Sequence, residues 1–149
     1  MQQLNLPQHP LKIKEENGTR YIFDAIRKKY LVLLPEEWVR QNFIQFLVHN
    51  KKYAASLIAI EKGLKINELQ KRADIVVYDK HAKPIVLIEC KAPKVKINQA
   101  VFEQVARYNA AFGVPYLMVT NGLEHYCAKV NFETKNCEFL TEIPDYKNL

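Results

Sequence analysis

Residues 71 to 94 read KRADIVVYDKHAKPIVLIECKAPK, two apolar runs separated by a short polar stretch, with a carboxylate near the outer end of each run. The runs are rich in the β-branched Val and Ile that suit a buried pleated surface, and Lys80 to Lys83 can loop between them. The stretch therefore predicts an antiparallel hairpin closed by Asp79 and Pro84. That register sets Asp74 directly opposite Glu89, and opposed residues share a face with Cβ atoms about 4.5–5.5 Å apart. Two like charges at that spacing repel. An ionised carboxylate withdrawn from water without a partner costs several kcal/mol, so a counter-charge or a metal ion is required there.

Strand alternation puts Lys91 on the face of Glu89 and turns Cys90 to the other side, leaving the Cys90 carbonyl near the carboxylates. Two carboxylates, a carbonyl oxygen and water are the hard oxygen ligands that suit Mg²⁺, which commonly shares its coordination sphere with phosphate. Lys91 is then placed to orient or help deprotonate an attacking water and to stabilise charge on phosphoryl oxygens, a constellation fit for phosphodiester cleavage. A second reading satisfies the same charges without a metal: Asp74 and Glu89 pair with Arg72 and Lys91 and align two strands.

The remaining pattern defines one α/β domain. LKIKEENGTRYIF has the form of a hairpin turning at Asn17-Gly18, and KYLVLLP is a short strand ended by Pro35. PEEWVRQNFIQFLVHN carries Val39, Phe43, Phe46 and Leu47 at helical spacing, with Glu36 and Glu37 in the first turn, where the helix dipole favours anions. AASLIAIEKGLKI, RADIVVYD and PIVLIECK read as consecutive strands. INQAVFEQVARYNAAF returns to helix, with Val101, Val105, Tyr108 and Phe112 as its sheet-facing stripe and Gln104 interrupting it. GVPYLMVTNG, LEHYCAKV and KNCEFLTEI close the sheet, the first pair turning at Asn121-Gly122. The expected architecture is a mixed sheet flanked by helices in the order α-β-β-β-α-β. It divides into a β-rich arm over 1–34, a core over 35–141 and a tail over 142–149.

Other chemistries find little support. Cys90, Cys127 and Cys137 are odd in number and lack a close CxxC, against a disulfide framework or a zinc ribbon, and His9, His49, His81 and His125 show no HExxH spacing. The start MQQLNLPQHP has neither a basic cap nor an apolar stretch, and the longest apolar run falls far short of the roughly 20 residues of a membrane helix, so a cytoplasmic protein is expected. The formal net charge of +6 leaves room for a polyanionic partner. Lys94 and Lys96 follow the second carboxylate, and Lys71 and Arg72 precede the first. Positive charge therefore stands on either side of the site, where phosphate contacts give sequence-independent, salt-sensitive affinity. No base-reading module is evident.

Asp74 followed by Glu89-Cys90-Lys91 across a short hairpin resembles the PD-(D/E)xK nuclease superfamily, with Ala73 where the nominal proline would stand. More narrowly, "PEEWVRQ", "RADIVVYD", "LIECKAP", "QVARY" and "TNG", in that order, resemble the N-terminal nuclease domain of the type I restriction enzyme R subunit. The resemblance implies a restriction-endonuclease-like fold and a Mg²⁺-dependent deoxyribonuclease, with Mn²⁺ as a substitute ion. Asp74, Glu89 and the Cys90 carbonyl would hold the metal, and Lys91 would be the catalytic lysine.

A glutamate of the first helix often completes such a site. Glu37 is preferred over Glu36, which extends the apolar stripe of Val39 and Phe43, while Glu61 is a further acidic candidate and Arg40 a supporting one. Gln104 and Tyr108 match a QxxxY element that helps position the nucleic-acid backbone, and Lys94, Lys96 and Arg72 would contact substrate. The implied partners are DNA and the motor or specificity subunits of a restriction system. No GxxxxGK[ST] loop occurs, so the chain carries no ATP-driven motor of its own. The rival expectation is a non-catalytic nucleic-acid-binding or assembly module that retains the fold.

Overall fold

Asn17 and Gly18 both adopt positive φ (51° and 78°), the conformation a tight two-residue hairpin demands, and they join strands β1 (Ile13–Glu16) and β2 (Thr19–Asp24) as the sequence predicts. With β3 (Lys29–Val32) these form a three-stranded antiparallel sheet. Its inner face is set by Ile22 and Asp24, both fully buried. The computed structural model describes residues 1–66, 69–134 and 136–149, with 64–66, 69–71 and 108 described by backbone alone.

Helix α1 (Pro35–His49) starts on a proline at its first position, where no amide donor is needed, and buries Val39, Phe43, Ile44 and Leu47. A short 3-10 turn, Ala55–Leu57, takes the beginning of the fourth predicted strand, so β4 runs Ile58–Ile66. β5 (Leu69–Tyr78), β6 (Pro84–Cys90), helix α2 (Gln99–Ala110), β7 (Tyr116–Thr120), β8 (His125–Asn131) and β9 (Asn136–Leu140) follow. The second sheet has six strands in the order β4-β5-β6-β7-β8-β9. It is antiparallel except where β6 and β7 run parallel through the α2 crossover. The expected mixed α/β core, with its β-rich arm, is therefore the fold of the chain.

Each face of this sheet carries its own core. On one, α1 packs over Ile75, Val77, Val86, Ile88, Cys90 and Met118. The C-terminal stretch joins that side, with Ile143 buried and the Tyr53 hydroxyl donating to the Pro144 carbonyl at 3.0 Å. On the other, α2 packs over Val76, Leu87, Leu117, Val119 and Ala128. The α2 stripe differs from the expected one. Phe102, Ala106, Asn109 and Phe112 are buried, whereas Val101 is exposed and Gln104 lies on the outer side. The phase is shifted by one residue because Phe102 offers more area than Val101 and slots between the Tyr126 and Phe139 rings, at 5.6 and 5.5 Å.

The β5–β6 register is the expected one through Ile75↔Ile88, Val76↔Leu87 and Val77↔Val86. It slips beyond, so that Pro84 pairs with Tyr78 rather than with Asp79. The Asp79 carboxylate causes the slip by accepting from the His81 and Lys83 amides at 2.8 and 3.0 Å, which folds the loop tightly around Ala82 at φ 61°.

At the β7–β8 turn Gly122 has φ 86°, and an added Cβ would meet Leu4 at 2.7 Å and Val39 at 3.2 Å. Gly122→Ala is therefore expected to lower stability by about 1–3 kcal/mol, read as a shift in the urea midpoint. An unchanged midpoint would show that the turn relaxes freely.

Candidate functional site

The β4–β5 ladder pairs Ile60 with Ile75 and Lys62 with Ala73 but omits the step between, Glu61 and Asp74. Glu61 stands there with φ 51°, an unfavourable conformation for a residue with a side chain. On the other flank, the β5–β6 ladder ends at Ile75↔Ile88, one step before Asp74 and Glu89. Asp74 thus occupies a gap where the central strands part. Its carboxylate replaces the missing ladder bond by accepting from the Cys90 amide at 2.8 Å.

Because the N–H and C=O of one strand residue point to the same side, the Cys90 carbonyl is aimed toward Asp74 as well. The Cys90 side chain is buried on the α1 face, and burial, reinforced by the nearby Asp74 charge, pushes its thiol well above the ordinary range. The Cys90 sulfur is thus a buried, neutral thiol.

Asp74 is half-buried, and its carboxyl is raised above the usual range, first by desolvation and also by the neighbouring Glu89 charge. The Cys90 amide, Arg40 and Lys91 work in the opposite direction. Among the described residues Asp74 takes part in no ion pair. Arg72, its expected partner in the metal-free reading, reaches Glu61 instead at 3.5 Å, with 72% of its side chain still exposed.

The two helix glutamates stand in different surroundings. Glu37 is buried, and both its oxygens are engaged, one by the Arg40 terminal nitrogen and the other by Arg40 Nε and Gln41 Nε2, each at 2.9 Å. Glu36 is the helix carboxylate that senses the site. Its carboxyl is raised by partial burial and by Asp74, and drawn back by Lys91 and Arg40. The reason is angular, since adjacent helical residues point about 100° apart, and the Arg40 fork turns Glu37 away.

Glu61 is also committed. It meets Arg27 at 3.1 Å, Arg40 at 3.3 Å and Arg72 at 3.5 Å. Burial opposes its charge, but Arg40 and Arg27 outweigh burial and hold the carboxyl below the usual range. Arg40 is correspondingly locked. Burial works against its charge, yet Glu37 and Glu61 raise its proton affinity beyond the ordinary guanidinium value. Arg27 in turn binds the fully buried Asp24 at 2.8 Å, so this chain of ion pairs fastens the N-terminal sheet to α1 and to the strained residue beside Asp74.

Lys91, Lys94 and Lys96 are exposed on the segment after β6. That segment is pinned at both ends by the Thr-Asn-Gly turn. The Lys91 amide donates to the Thr120 carbonyl at 2.8 Å, and Asn121 Nδ2 donates to the Val95 carbonyl at 2.8 Å. Asn121 Oδ1 also accepts the Leu123 and Glu124 amides, and Gly122 N donates to Thr120 Oγ1. Thr120 and Asn121 are buried, and their positioning role is one the sequence reading missed. Gln104 is exposed and needs no structural hydrogen bond; the Tyr108 side chain lies outside the described residues. Among the described residues no three His, Cys, Asp or Glu side chains are grouped to hold a metal. An ion at Asp74 and Glu89 would therefore draw on the Cys90 carbonyl and water.

A six-stranded mixed sheet with α1 on one face and α2 on the other, broken beside Asp74, defines the class: a mixed α/β domain. Residues 35–144 match the family model described as type I restriction enzyme R protein N terminus (HSDR_N). The chain belongs to that family. Among solved structures it is similar to a fragment of a putative HsdR subunit of a type I restriction enzyme from Vibrio vulnificus YJ016, at 19% identity and a TM-score of 0.49. The similarity covers 75% of this chain but only 24% of that one. No curated protein matches the chain.

Proposed function

We propose that this domain is a divalent-cation-dependent nuclease that hydrolyses DNA phosphodiester bonds, with Asp74 and Glu89 holding Mg²⁺ and Lys91 assisting the chemistry. The observation that carries the reading is the half-buried Asp74 carboxyl, raised by desolvation and by Glu89, set in a break of the sheet and held by the Cys90 amide. Bound there, Mg²⁺ would supply a Lewis acid for the phosphoryl oxygen and a lowered pKa for coordinated water. The protein's own groups do the rest. Asp74 and Glu89 would hold the ion, with the Cys90 carbonyl as a further oxygen ligand. Glu36 would add negative charge beside them, and the Lys91 ammonium would orient the attacking water and balance charge building on the phosphoryl oxygens as the bridging oxygen leaves. Lys94, Lys96 and the free portion of Arg72 hold flanking phosphates. Family membership supports DNA as substrate and other restriction subunits as partners. Among the described residues no helix is long and apolar enough to cross a membrane.

Lys91→Met should retain Mn²⁺ binding by calorimetry while cutting plasmid nicking by about 10²-fold or more, the range for a lost proton-transfer or charge-stabilising group. Nicking at the normal rate would remove Lys91 from the chemistry. Salt-dependent DNA binding with no turnover under any divalent ion would instead favour the non-catalytic module.

A further inference from the structure

The outward face of the N-terminal sheet combines aromatic rings with lysines in a way that the carboxylate site does not use. Cross-strand register puts Lys14, Tyr21 and Val32 side by side, and pairs Phe23 with Tyr30. These residues alternate with the buried Ile22 and Asp24 and so share the face turned away from the core. Phe23 and Tyr30 meet edge to face at 5.1 Å. Lys14 Nζ stands 4.3 Å from the Tyr30 ring centre, and Lys12 Nζ stands 5.3 Å from that of Phe23. Tyr30 is 39% exposed. The acid that shares the face, Glu16, lies 3.0 Å from Lys14. The residues matched by the family model begin at 35, so this face belongs to a segment outside that match.

We propose that this face is a docking platform for single-stranded DNA, with bases stacking on Tyr30 and its aromatic neighbours while Lys12 and Lys14 take backbone phosphates. Flat rings that accept any base, interleaved with cations, are the means by which proteins track single strands without reading sequence. Charge complementarity favours this occupant, since a phosphate can displace Glu16 from Lys14 and keep the ammonium over the ring. The Asp24–Arg27–Glu61–Arg40 chain ties the platform to the carboxylate site, so a strand gripped here is held in a fixed relation to it. The proposal rests on the nuclease reading only for the choice of nucleic acid as partner.

The test is fluorescence anisotropy of labelled oligothymidylate with the full chain in EDTA, where cleavage is silent. Tyr30→Leu, which keeps apolar bulk but loses the ring, should weaken binding about tenfold, and Tyr30→Phe should not. Lys12→Gln with Lys14→Gln should flatten the log–log salt slope by about 1.4, roughly 0.7 for each lost phosphate contact. Glu16→Gln should tighten binding. Thermal melts confirm that each variant is folded. Absence of binding, indifference to Tyr30→Leu, or equal competition by duplex DNA that ignores all these variants overturns the platform. Loss of cleavage with this binding intact would overturn the nuclease reading instead.

Discussion

Asp74→Ala is expected to abolish Mg²⁺- and Mn²⁺-dependent cleavage, lowering it at least about a thousandfold, because losing a ligand that fixes the ion removes several kcal/mol of transition-state stabilisation at about 1.4 kcal/mol per factor of ten. The companion Asp74→Asn separates chemistry from folding. Its amide oxygen can still accept the Cys90 amide that Asp74 holds at 2.8 Å, so the strand ends stay joined while the negative charge is gone. Alanine leaves that donor without its partner, which costs about 1–3 kcal/mol. Asparagine should therefore be at least as stable as the parent near neutral pH and equally inactive.

The pH dependence follows with a definite sign. Burial raises the Asp74 and Glu36 carboxyls above their usual range, with Glu89 adding to the effect on Asp74, and Asp74 adding to that on Glu36. A folded-state pKa above the unfolded value contributes stability that is complete below the unfolded pKa and is lost as pH rises through the folded one. The metal-free protein should lose this contribution between acid and neutral pH. Mn²⁺ should raise the melting temperature near neutrality, and by less as the pH falls and these carboxyls take up protons. Asp74→Asn should remove the Mn²⁺ effect at every pH. An equal Mn²⁺ shift in that variant would place the ion elsewhere.

Arg40→Ala carries the largest expected cost to stability. The guanidinium is the shared partner of Glu37, which is 8% exposed, and of Glu61 beside the strand break. Removing one member of a buried ion pair leaves the other charged and desolvated, at a cost of about 3–5 kcal/mol. Replacing the charges together, as Arg40→Met with Glu37→Gln, should cost much less, because Glu61 keeps Arg27 at 3.1 Å and no buried carboxylate is stranded. Urea denaturation distinguishes the two. Equal losses would mean that the side-chain packing of Arg40, and not its charge, supports the break.

The β5–β6 register from Ile75↔Ile88 to Val77↔Val86 is legible in the sequence because a strand has a period of two, and an apolar run must keep its Val and Ile off the surface on both faces. It departs at both ends: Asp79 reorganises the closing loop, and the ladder stops one step before Asp74 and Glu89, where the Asp74 carboxylate takes the Cys90 amide. The phase of α2 is less legible, since Val101-Phe102 and Val105-Ala106 offer two apolar stripes one residue apart, and the choice depends on the Tyr126 and Phe139 rings supplied by distant strands.

Glu36 and Glu37 illustrate the same limit at the site. The spacing of Glu37 to Arg40 and Gln41 already signals a local fork, because residues three and four apart are neighbours on a helix. What turns that fork inward is Glu61, held by Arg27 from a different sheet, and no local pattern reports so distant a partner. The Thr-Asn-Gly turn stands out as a motif, yet its grip on the lysine segment appears only once β6 and β7 lie parallel.

The direct measurement is anomalous scattering from a crystal soaked in Mn²⁺. The expected result is a peak between the Asp74 and Glu89 carboxylates, within coordination distance of the Cys90 carbonyl and with Glu36 one water away. A crystal with no peak there, or with the two carboxylates drawn apart onto lysine or arginine, would contradict a shared cation and with it the nuclease chemistry.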